Sequence, residues 1–131
     1  MLNVVLERRR GLPILLSVLY LATARRAGIP LSGVGLPGHY VVGDFVSGPP
    51  LLVDPFAGGA LIRADEPRHV RPWGAHETVL RMLNNLVGSY GRRADLSRAI
   101  QAAELRLALP LEEPSVYALR TELGALRARL N

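Results

Sequence analysis

A chain of 131 residues has room for one domain with a real core, or for two small lobes sharing one. Its hydrophobic content is 49% and its mean hydropathy +0.18, which is apolar for so short a protein. Even so, no apolar run reaches the length of a membrane span, because the stretch from Leu12 to Ala24 is broken by Pro13, Ser17 and Thr23 and ends in Arg25-Arg26.

There is no signal-peptide pattern, since Glu7 and three arginines interrupt the N-terminus. These features predict a cytoplasmic protein with no membrane partner. Part of its apolar surface should be hidden in a protein partner or by self-association. Cysteine is absent, which excludes disulfides, thiolate nucleophiles and thiolate metal sites together. The net charge is +5, and all 16 basic residues are arginine, as GC-rich coding produces. Apart from Arg8-Arg9-Arg10 the arginines are scattered, and aromatics make up only 5%. A nucleic-acid surface wants a basic stripe interleaved with aromatics, so the pattern argues for solvated helix faces and against nucleic acid.

In chain order, Leu2 to Arg9 reads as a short helix, apolar at Leu2, Val5 and Leu6 and ended by Gly11. Pro13 suits the first turn of a second helix, from about Ile14 to Ala27, which Gly28-Ile29-Pro30 stops. That helix is apolar almost all round, which predicts the central buried helix. A β region follows: Gly33 to Leu36, a turn at Pro37-Gly38, His39 to Gly43, Leu51 to Asp54, and Leu61-Ile62 as the tail of another strand. Residues Ala64 to Gly74 are rich in Arg and Pro and read as irregular. Two helices, Glu77 to Tyr90 and Asp95 to Leu109, flank a tight turn at Gly91 to Ala94, and a third runs from about Ser115 to Leu130. Helices, then a β hairpin, then helices is an α+β plan.

The hairpin carries the candidate chemistry. With Asp44 to Pro49 as its loop, Val42 faces Leu51, Tyr40 faces Val53, and His39 faces Asp54. Directly opposed residues have Cβ atoms roughly 4.5–5.5 Å apart, so imidazole and carboxylate can hydrogen-bond. A tighter turn at Gly48-Pro49 would set Asp54 opposite Gly43 and leave His39 and Asp54 about 13 Å apart along the strand. Consecutive prolines at 49 and 50 favour the wider loop, because proline cannot donate to a ladder. A carboxylate on one imidazole nitrogen fixes the tautomer and raises basicity, as in catalytic triads. The same pair also reads as a buried polar contact that only fixes register.

The stretches Leu2-Asn3-Val4-Val5-Leu6-Glu7-Arg8-Arg9-Arg10-Gly11-Leu12-Pro13, Ala24-Arg25-Arg26-Ala27-Gly28-Ile29-Pro30, Gly35-Leu36-Pro37-Gly38-His39 and Val53-Asp54-Pro55-Phe56 resemble the bacterial SirB family, transglutaminase-like proteins with a TPR-like tail. The resemblance covers nearly the whole chain. It implies a papain-like core, a helix packed on a small antiparallel sheet with His and Asp on neighbouring strands, and it maps that pair onto His39 and Asp54. In active relatives a Cys stands at the N-terminus of the central helix, where the helix end and the His lower its pKa. That position falls near Pro13, which has no nucleophilic side chain. Ser17 lies one turn further in and is expected to bond back to its own helix; where relatives often have Ser, this chain has Leu15. Relatives also carry a helical segment ahead of the Leu-Asn motif at which this chain begins. That difference predicts an uncovered apolar face and self-association.

Residues 1–75 are therefore expected to form the transglutaminase-like core, and 76–131 a TPR-like helical tail packed on it. Leu86, Tyr90, Ala99, Ala103 and Pro110 fall close to TPR consensus positions, and Leu123-Gly124 looks like the start of a second repeat. The metal-ligand candidates are His39, Asp54, His69 and His76, but none has a ligand spacing such as His-x-x-x-His, and no metal or cofactor is expected. Together these features predict a non-catalytic module that acts through protein contacts. The alternative is a hydrolase or acyltransferase using His39 and Asp54 with an unrecognised nucleophile or activated water.

Overall fold

The structure is a computed structural model that describes residues 2–62 and 70–130. The chain divides into two compact units, Met1–Gly74 and Ala75–Asn131.

The first unit contains two helices, α1 (Leu2–Arg8) and α2 (Pro13–Arg26), and four strands: β1 (Leu31–Leu36), β2 (His39–Asp44), β3 (Leu51–Asp54) and β4 (Ala60–Ile62). Helix α2 begins where Leu12 is extended and Pro13 takes the first helical position, since its missing N–H would be unpaired there anyway. It ends in a Schellman turn. Gly28 adopts φ +72, its N–H bonds to the Arg25 carbonyl, and the Ile29 N–H bonds to the Ala24 carbonyl. Pro30 then releases the chain into β1.

The strands form an antiparallel meander in the order β1-β2-β3-β4. Alternation divides the sheet into two faces. Val34, Val41 and Leu52 form a buried cluster on one, joined by Leu36, Phe45, Ile62 and Val70. Tyr40, Val42, Leu51 and Val53 point to the other, which is the face α2 covers. The Ser17 hydroxyl donates to the Tyr40 carbonyl at 3.1 Å, tying the first half of α2 to the start of β2. Its apolar sequence predicts a helix buried all round, but α2 is buried on one side only. Ile14, Leu15, Ser17 and Ala24 are buried, whereas Tyr20 is 41% exposed. A helix apolar on every side carries no signal of which side the sheet will take.

The β2–β3 register also departs from expectation. Val42 pairs with Val53, Gly43 with Leu52 and Asp44 with Leu51, so the six-residue loop is Phe45 to Pro50 and each β2 residue meets a partner two places further along. Two features explain the shift. Pro50 has no N–H to offer a ladder and moves into the loop. The Asp44 carboxylate accepts the N–H groups of Val46 (2.8 Å) and Ser47 (3.1 Å) and so caps the turn from the last position of β2.

Strand β1 has two glycines because aromatic rings lie against its backbone. A Cβ at Gly33 would meet the Tyr40 hydroxyl, and one at Gly35 the Trp73 indole. The backbone N–H of Trp73 also donates to the Gly33 carbonyl at 2.8 Å, and the Tyr40 and Trp73 rings meet edge-on at 5.8 Å.

The second unit comprises α3 (Ala75–Arg92), α4 (Leu96–Leu107) and α5 (Glu113–Ala128). The turn between α3 and α4 is centred later than Gly91, which stays helical. Ala94 takes φ +57, and Asp95 caps α4 by accepting the Arg98 N–H. Ala99 and Ala103 are fully buried among Val87, Ile100, Ala102, Leu123 and Leu126, with Leu86 and Tyr90 packed against them. Arg106 is buried too. Its guanidinium donates to Asn84 Oδ1 on α3 (3.0 Å) and to Glu122 Oε2 on α5 (2.8 Å), while its Nε has no partner. One α4 side chain thereby holds both neighbouring helices, a role that nothing in its spacing announced.

Two predictions follow from this packing. Gly33→Ala should lower unfolding free energy by about 1–3 kcal/mol in urea titration, whereas Gly124→Ala, in an α5 position with open space, should raise it by up to about 1 kcal/mol. Glu122→Ala should destabilise more than Arg106→Met, because the first strands a buried charge and the second removes it; the same titration ranks them.

Candidate functional site

The structure brings His39 and Asp54 together. His39 opens β2, directly after the Pro37-Gly38 turn, and Asp54 closes β3. Continuing the observed ladder sets Asp54 level with Val41, so the two residues sit on one face as diagonal neighbours and not as an opposed pair. A register shift of two keeps side chains on the same face, so the contact survives the change in pairing. His39 Nε2 lies 2.8 Å from Asp54 Oδ2, with the side chains 29% and 13% exposed.

The other oxygen of Asp54 is committed elsewhere. Oδ1 accepts the N–H groups of Phe56 (2.9 Å) and Ala57 (3.2 Å). This turn leads through Gly58 and Gly59, both at positive φ, with the Gly59 N–H returning to the Asp54 carbonyl. Partial burial pushes the Asp54 carboxyl up. The hydrogen bonds from His39, Phe56 and Ala57 outweigh it and hold the group below its ordinary value. Asp54 is therefore ionised at neutral pH and can only accept, so His39 Nε2 carries a proton and donates it. Phe56 packs edge-on to the imidazole, ring centres 6.3 Å apart.

This arrangement fixes the orientation and tautomer of an imidazole, which is what a general base needs. No side-chain nucleophile stands at the start of α2, where Pro13 occupies the first helical position. Ser17 is fully buried, and its hydroxyl donates to the Tyr40 carbonyl on β2, contrary to the expected bond back to its own helix. A lone serine in an apolar helix signals a buried partner, but it does not say which one.

The remaining metal candidates do not join the pair. His76 lies exposed on the first turn of α3, and His69 lies outside the described residues, as do most of the positions read as irregular. Among the described residues no three of His, Cys, Asp and Glu gather as a metal site, and no helix is long and apolar enough to cross a membrane.

A groove was missed by sequence reasoning. It has a volume of about 690 Å³ and runs between the outer side of α2 and Leu31, Asp44, Leu51, Val53 and Pro55. The all-round apolarity of α2 was the available signal: a second apolar face needs something to cover.

The lowered Asp54 carboxyl fixes a pH dependence. Its stabilising contribution is fully present above the unfolded value, near pH 4, and is lost as pH falls through the lower folded one. Wild type should therefore lose more unfolding free energy between about pH 5 and pH 2 than Asp54→Asn does, as measured by urea titration across that range.

By sequence, residues 1–101 match the transglutaminase-like superfamily. Two UPF0162 proteins, from two strains of Xylella fastidiosa, are 39% and 38% identical over 86% of this chain. F-box only protein 21 of Mus musculus is 30% identical over 96% of it. The chain spans about half the length of those bacterial relatives (47%) and 22% of the mouse protein. No solved structure matches it. A helix laid on an antiparallel meander, a His and an Asp bonded across neighbouring strands, and a match over 101 of 131 residues agree: the chain belongs to the transglutaminase-like superfamily.

Proposed function

We propose that this chain is a non-catalytic transglutaminase-like module of the SirB type, acting in the cytoplasm through protein contacts. The observation that carries this reading is Pro13. It stands at the first position of α2, near where the resemblance puts the family's nucleophile, and the 131 residues contain no cysteine to replace it. A helix N-terminus can activate a thiolate only if one is present. Asp54 also builds the β3–β4 turn, so the pair with His39 has structural work without any reaction.

Contact through surfaces is supported by large apolar side chains left in water. Leu6 and Leu12 in the first unit and Tyr117 and Leu105 in the second are all more than half exposed. The tail reads as TPR-like because the small residues Ala99 and Ala103 let its helices approach closely and are fully buried there.

One observation favours a rival. The 2.8 Å contact from His39 Nε2 to an ionised Asp54 is the geometry of a working base, which could activate water in a hydrolase or acyltransferase.

Intact mass after incubation with a fluorophosphonate or an acyl-ester probe should show no adduct, and p-nitrophenyl acetate should hydrolyse at the buffer rate. An adduct or a turnover that disappears in His39→Ala would establish the rival and end the non-catalytic reading.

A further inference from the structure

We propose that the groove beside α2 is a binding site for a small apolar amine, with the hydrocarbon against α2 and the cation at Asp44. This inference does not depend on whether His39 and Asp54 are catalytic, because the groove lies on the opposite face of the sheet. Val53 and Pro55 turn towards it, while Asp54, between them, turns away to His39.

Size comes first. A volume of about 690 Å³ falls inside the roughly 300–1,000 Å³ range of small-molecule sites. Leu16, Leu19, Ile29 and Leu51 supply an apolar lining, and Ile29 and Leu51 remain about half exposed at its rim. A ligand that covered them would remove apolar surface from water.

Charge then selects the head group. Among the described residues, Asp44 is the one charged residue of the lining. Hydrogen bonds from the Ser47 hydroxyl and from the Val46 and Ser47 N–H groups hold its carboxyl below the ordinary value, so it is ionised throughout the neutral range. The Thr23 hydroxyl already donates to the Leu19 carbonyl at 3.0 Å and turns only lone pairs outward. A carboxylate ligand would meet an anion and an acceptor; an ammonium group would meet partners for its protons. The turn geometry keeps Asp44 in place without the ligand, so little ordering is needed on binding.

The test uses octylamine, octanoate and octanol, all below their micellar concentrations, with binding followed by calorimetry and by NMR shifts of α2 and β3. Octylamine should bind saturably, one per chain, and about tenfold tighter than octanoate, as one charge-assisted hydrogen bond confers. Asp44→Asn keeps the turn-capping oxygen and should erase that preference while leaving octanol unchanged. Ala27→Trp, at a solvent-facing end of the lining, should abolish binding of all three, with an unchanged melting temperature showing that the fold is intact. His39→Ala should bind octylamine as wild type does. Equal binding of amine and acid, no saturable binding, or a dimer that Ala27→Trp dissolves would overturn the proposal, the last by showing that a second copy fills the groove.

Discussion

The carboxylate of Asp54 organises the end of the first unit where any chemistry would occur. A carboxylate has two oxygens, and this one divides them. One holds the backbone N–H groups of the β3–β4 turn, and the other holds the His39 imidazole. Partial burial would by itself disfavour the charge; three donors reverse that balance. Strand pairing, turn and imidazole orientation thereby share one anion. Asp44 repeats half of the arrangement at the end of β2, with its Oδ1 on the N–H groups two and three residues ahead and, among the described residues, no imidazole bonded to it. The comparison separates two roles that coincide at Asp54: the turn alone accounts for an aspartate at a strand end, and only the second oxygen bears on histidine.

That separation changes how the superfamily's chemistry is read in this chain. A His–Asp pair is usually taken as the mark of an acyl-transfer site. Here its geometry is intact while the first residue of α2 is a proline. Proline is well suited to that place for backbone reasons, since its ring presets the helical φ and its missing N–H costs nothing there. The helix start is thus well suited to folding at the residue which, in the proposed reading, stands near the place of the lost nucleophile.

Much of the fold was legible because it rests on local signals. Gly28-Ile29-Pro30 marks the end of α2, Pro37-Gly38 the first hairpin, and Asp95 the cap of α4. The contact between His39 and Asp54 was legible for a more general reason: a strand register that slips by two leaves every side chain on its own face. What sequence did not resolve depends on partners distant in the chain. Ser17 finds a carbonyl 23 residues away, and Arg106 reaches Asn84 and Glu122 on two other helices. The loop register turned on whether Pro50 could serve in a ladder, and its missing N–H decided against it. Gly91 looked like the residue that ends α3, yet Ala94 takes the left-handed conformation, at a cost of roughly 1–2 kcal/mol that the turn's hydrogen bonds and the Asp95 cap offset.

The bond from Ser17 to Tyr40 has a mechanical meaning. It is a directional tether near one end of α2. Towards the other end, Leu19, Tyr20 and Ala27 border the groove through apolar contacts, which have no preferred direction. Helix α2 is anchored at both ends, by the Ser17 hydroxyl in its first half and by the Schellman turn that runs through Pro30 into β1. Those two anchors set the span between α2 and the sheet that the groove occupies, while the spacing between His39 and Asp54 is set within the sheet alone.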